Sequence, residues 1–113
     1  MYMERLPEVR YHEGDLASYF WNPEVELMSP EATLALQEEK LRKQVQYLWD
    51  KSELYREKFE NAGFSPSDFK GLQDLGNLPF TTKRELRKSQ EESLPFGRHL
   101  AASLDKVIRV TTT

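Results

Sequence analysis

Three groups of residues in this chain have types that do chemistry. Lys83-Arg84-Glu85-Leu86-Arg87-Lys88 concentrates cations that would suit phosphate, in nucleic acid or in the ribose-phosphate of a cofactor. On a helix those charges spread around the surface, Glu85 interrupts them, and Glu91 and Glu92 follow, which favours a solvated face. His12 and His99 are the only histidines; with no spaced partner for a metal, both read as incidental surface residues. The third group is the closing run from Asp105 to Thr113, DKVIRVTTT, a strand-like stretch ending on three hydroxyls. Acidic residues are plentiful, yet no pair stands in a catalytic context. The sequence holds neither a Ser-His-Asp set nor a glycine-rich phosphate loop. The absence of cysteine removes disulfides, thiolate catalysis and thiolate metal sites. By residue chemistry alone the chain has no active site of its own.

The elements that carry these residues read as mostly helical. Tyr19-Phe20-Trp21-Asn22-Pro23 closes three aromatics with a turn-forming pair and is expected to anchor an irregular leader, residues 1–18, onto a neighbouring surface. Ser29 reads as the N-cap of a long helix, with Pro30 at its first position and Glu31 at the positive end of its dipole. At about 100° per residue, Leu34, Leu41, Val45, Leu48 and Trp49 share one side, and Leu36 and Tyr47 lie nearly opposite. A helix with two apolar sides expects two partners.

A second helix is expected from near Ser52 to Ala62, burying Tyr55, Phe59 and Ala62, with Gly63 as its left-handed terminator. Phe64 to Asp68 turns into a short helical piece, and Leu78-Pro79-Phe80 is extended because a residue before proline avoids helix. Thr82 and Glu85 form a capping box opening a basic helix over Lys83 to Gln90. Pro95-Phe96-Gly97 is a loop, and Lys106 to Thr112 reads as a β-strand. The organisation is then a leader (1–18), a helical region (19–104) and a strand segment (105–113), mainly α with short β.

With 113 residues there is room for one domain. Hydrophobic residues at 38% and charged residues at 31% suit part of a larger protein better than a compact whole. The net charge of −3 gives no global attraction to nucleic acid or to an anionic membrane. The N-terminus lacks the apolar run of a signal peptide and no stretch is long enough to span a bilayer, so a soluble cytoplasmic protein is expected, without nucleic-acid or membrane partners.

Several stretches carry a resemblance. Tyr19 to Glu24, Leu54-Tyr55-Arg56-Glu57-Lys58-Phe59 with Ala62-Gly63, and Asp74-Leu75 leading to Leu78-Pro79-Phe80-Thr81-Thr82-Lys83 come in a familiar order. Leu86-Arg87, Pro95-Phe96-Gly97 and Val107-Ile108-Arg109-Val110 extend it. Over nearly everything from Tyr19 to Thr113 the chain resembles the N-terminal part of the phenylacetate–coenzyme A ligases, aryl-acid members of the adenylate-forming superfamily. LPFTTK followed by PFG is the most specific pair, and nothing before Tyr19 is recognised.

The resemblance implies that the arginine-containing strand runs into a Ser/Thr/Gly-rich phosphate loop of the form SSGTTG. Thr113 would match the loop's first hydroxyl, and the chain would stop one step before the glycines. It also implies a two-step reaction in the whole ligase. A carboxylate attacks the α-phosphorus of Mg-ATP, releasing pyrophosphate, and the thiol of coenzyme A then displaces AMP. No catalytic or metal residue carries over, so ATP, Mg2+ and coenzyme A belong to the whole ligase and no cofactor to these 113 residues. The remainder of the ligase is the expected partner. Alone, an uncovered strand edge predicts dimers or larger assemblies. The rival readings are a free-standing helical interaction module and, through the basic helix, a nucleic-acid binder.

Overall fold

The structure, a computed structural model, describes residues 19–112. The chain divides into two compact units, Met1–Ala35 and Leu36–Thr113.

In the first unit Asn22 caps a short helix α1, Pro23–Glu26. Its side-chain oxygen accepts the Val25 amide at 3.4 Å, and the Glu26 carboxylate accepts the Asn22 amide at 2.9 Å. Ser29 then opens α2, Pro30–Lys51, its hydroxyl accepting the Ala32 amide at 3.1 Å. The N-cap assigned from sequence is in place. Trp21, expected to anchor the leader, is 99% exposed, and the leader itself lies outside the described residues.

In the second unit the stripe of α2 from Leu41 to Trp49 builds the core, whereas Leu34, read into the same stripe, is exposed. Val45 is buried with Phe59, Phe64 and Phe69, and Leu41, Leu48, Trp49, Tyr55 and Leu78 pack around them. Phe59 and Phe64 meet edge to face, centroids 5.8 Å apart, an arrangement that the ring quadrupole favours. Ser52 ends α2 and caps α3, Glu53–Asn61. Leu54, with Phe59, is the buried face of α3; Ala62, expected inside, is exposed. The inward arc therefore sits nearer the helix start than the pattern suggested, because Leu54 offers more apolar area than Ala62. Gly63 ends the helix at φ +66°, as its left-handed role requires.

Two 3₁₀ turns follow, Pro66–Asp68 and Leu72–Asn77. Each is organised by a carboxylate that accepts backbone amides: Asp68 from Ser65 at 2.8 Å, and Asp74 from Lys70 at 2.8 Å. Glu38 reaches across from α2 to accept the Leu72 amide at 3.1 Å, tying the second turn to the long helix. Helix α4 runs over Lys83–Glu92, two residues beyond expectation, and Thr82 and Glu85 make the expected capping box.

Among the described residues no strand forms. Leu104–Lys106 is a 3₁₀ turn, and residues 107–112 continue without a ladder. The β-branched side chains are those of a strand, but a strand needs a neighbour's amides and carbonyls, and here none lies alongside. Ile108 is consequently 99% exposed.

Candidate functional site

The polar groups of the second unit gather where α3, α4 and the loop after α4 meet. Lys58 projects from α3, with its side chain only 11% exposed, toward the start of α4. Its ammonium donates to the Phe80 carbonyl at 2.6 Å and pairs with the Glu85 carboxylate. Glu85 also accepts the Thr82 amide at 2.7 Å and the Thr82 hydroxyl at 2.9 Å. The Lys58 ammonium first, and then the Thr82 donors, pull the Glu85 carboxyl down to about 2. Glu85, read from the sequence as the capping-box partner of Thr82 and as an interruption of the basic run, also receives Lys58 and so ties α3 to the start of α4.

Arg98 is the second node. Its guanidinium bonds Glu53 at 2.9 Å and Glu92 at 3.3 Å and pairs also with Glu57, so one fork joins α3 to α4. Those three carboxylates, Glu57 first, raise the guanidinium further above its already high range. The cleft between the helices, about 270 Å³, is lined by Lys58, Glu85, Glu57 and Arg98, whose charges are already paired.

His99, expected as an incidental surface residue, is instead structural. Its Nδ1 lies 2.9 Å from the Ser89 hydroxyl, and its backbone amide donates to that same oxygen at 3.1 Å. Ser52 donates to the His99 carbonyl at 3.3 Å. A serine beside a histidine suggests a nucleophile and base, but the Ser89 hydroxyl is buried at 1% exposure and no carboxylate among the described residues bonds His99. The pair fastens the loop to α4.

Of the remaining sequence-derived candidates, Lys83, Arg84, Arg87 and Lys88 are exposed, a solvated face as read, and Lys88 lies 3.7 Å from Glu92. His12 and Thr113 lie outside the described residues. Among the described residues no cluster of three His, Cys, Asp or Glu could hold a metal ion, and no helix is long and apolar enough to cross a membrane. Sequence reading missed Lys58, Ser89 and Arg98, whose partners stand as many as 45 residues away and carry no periodic signal. The arrangement holds α3, α4 and the loop after α4 together.

No family model matches the chain. It is 39% identical over 90 residues to a phenylacetate-coenzyme A ligase of Thermus thermophilus, covering 80% of this chain and 19% of that protein. A ligase of the same name from Escherichia coli is 34% identical over 86 residues, 76% of this chain and 18% of that protein. Among solved structures, a 2-hydroxyisobutyryl-CoA ligase in the postadenylation state in complex with R3-HIB-AMP superposes with TM-score 0.80 at 30% identity, covering 97% of this chain and 22% of that one. The same ligase, in complex with 2-HIB-AMP and CoA in the thioesterification state, superposes with TM-score 0.78 at 30% identity over 94% of this chain and 21% of that one. The chain thus spans about a fifth of the length of the relatives it matches. In sequence and in fold it is a homologue of the phenylacetate–coenzyme A ligases, over a stretch about a fifth as long as such a protein.

Proposed function

We propose that the chain is the N-terminal scaffold of an aryl-acid–coenzyme A ligase of the phenylacetate–coenzyme A ligase type. The whole enzyme would adenylate an aryl carboxylate with Mg-ATP and then form its coenzyme A thioester, in the cytoplasm. The observation that carries this reading is the 39% identity with a phenylacetate-coenzyme A ligase over 80% of the chain, which the shared fold at TM-score 0.80 supports. The helical unit packs on the rest of the ligase. Residues 107–112 become a strand once neighbours supply the missing ladder, and Thr113 contributes the first hydroxyl of the phosphate loop that follows. Without that body, the uncovered apolar segment drives self-association into dimers or larger assemblies.

A replacement experiment tests the reading. The matching 90-residue stretch of the Thermus thermophilus ligase is exchanged for the stretch from this chain. AMP release that requires both phenylacetate and coenzyme A is the expected result. A folded hybrid with no such release would contradict the proposal.

A further inference from the structure

Phe80 is 94% exposed, the reverse of what a large aromatic does in an isolated domain. The backbone that carries it is nonetheless held from both sides. Leu78 packs against the core cluster and its amide donates to the Leu75 carbonyl at 3.2 Å. Thr82 is locked in the capping box of α4. Between them the Phe80 carbonyl accepts the Lys58 ammonium at 2.6 Å, and Lys58 is fixed in turn by Glu85. These bonds grip the main chain and leave the ring in solvent.

An aromatic on a prearranged backbone is what a binding anchor needs. Little ordering entropy remains to be lost on contact, and such aromatics dominate interface energies once they fill a pocket. We propose that Phe80 is the anchor by which this helical unit docks into an apolar socket on the remainder of the ligase chain. This rests on the scaffold reading above. The occupant is argued from the relatives: the solved ligase carries this fold as 22% of its chain, so the other four-fifths of the polypeptide accompanies it covalently. A covalent link gives that body a high effective concentration at Phe80, whereas a second copy must be recruited from solution.

The test compares Phe80→Ala in two settings: the isolated 113-residue chain and the full-length hybrid with the Thermus thermophilus ligase. In isolation the exposed ring touches little, and the melting midpoint is expected to stay close to that of wild type. In the hybrid the midpoint should fall by roughly 2–4 °C or more, with Phe80→Leu restoring most of it. A fall of equal size in both settings, or in neither, overturns the anchor while wild-type hybrid activity leaves the scaffold reading standing. A wild-type hybrid that folds but is inactive removes the scaffold reading, and the anchor with it. If light scattering shows an isolated dimer that Phe80→Ala splits, the socket belongs to a second copy and the proposal is wrong.

Discussion

The Ser89 hydroxyl stands 2.9 Å from Nδ1 of His99 and takes the His99 backbone amide at 3.1 Å, so one buried oxygen closes the loop after α4 onto the helix. Ser52 bonds the carbonyl of the same residue at 3.3 Å. The two most buried polar residues of the second unit, each 1% exposed, therefore converge on His99. Ser89→Ala would leave the amide and the ring nitrogen without a partner. The expected cost is about 1–3 kcal/mol, the desolvation penalty of orphaned polar groups. Urea titration of the chain, with an unchanged slope, measures it.

Gly97 adopts φ +87°, in the left-handed region, and a Cβ built there would lie 2.5 Å from the His99 ring and 3.1 Å from the Ser89 hydroxyl. Gly97→Ala should therefore cost on the order of 2 kcal/mol from backbone strain, plus the displacement of His99. Gly63 has the same sign of φ but open space around it, so Gly63→Ala should show the backbone part alone. Comparing the two midpoints separates the strain from the clash.

Glu85 supplies a pH dependence of known sign. Its carboxyl falls from 4.5 to about 2 in the folded chain, chiefly through Lys58. Between those values the unfolded state binds the proton and the folded state does not, so stability drops as the pH falls through this window. Above it the contribution is fully present. Asp68, held down by the Ser65 amide, and Glu39, held down by Lys43, act in the same direction. The informative quantity is thus the gap between wild type and Glu85→Gln, expected to be widest near about pH 7 and to close toward about pH 2.

Arg98 joins three carboxylates from two helices, and the relevant substitution is Arg98→Lys. An ammonium keeps the charge but cannot fork to Glu53, Glu57 and Glu92 together. Arg98→Lys should lower the melting midpoint, and Arg98→Ala should lower it further by leaving the carboxylates to repel. Added salt should narrow the second difference, because it screens that repulsion.

The local signals in the sequence were legible where one residue or one short spacing decides the structure. Ser29 and Thr82 cap helices, Gly63 is left-handed, and the Leu41–Val45–Leu48–Trp49 stripe faces the core. What could not be read needs a partner distant in sequence: Lys58 against Glu85, Arg98 against Glu53, and His99 against Ser89. The segment from Val107 onward shows the same limit from the other side. Its β-branched composition reads as a strand, yet no strand forms among the described residues, because pairing needs neighbours, and Ile108 is 99% exposed.

The most direct measurement of the central claim, that these residues hold a ligase together without gripping the nucleotide themselves, is an ATP titration of the 113-residue chain by calorimetry. The account predicts no saturable heat with Mg-ATP. A saturable isotherm with a micromolar dissociation constant, on the order of −8 kcal/mol of binding free energy, would contradict it.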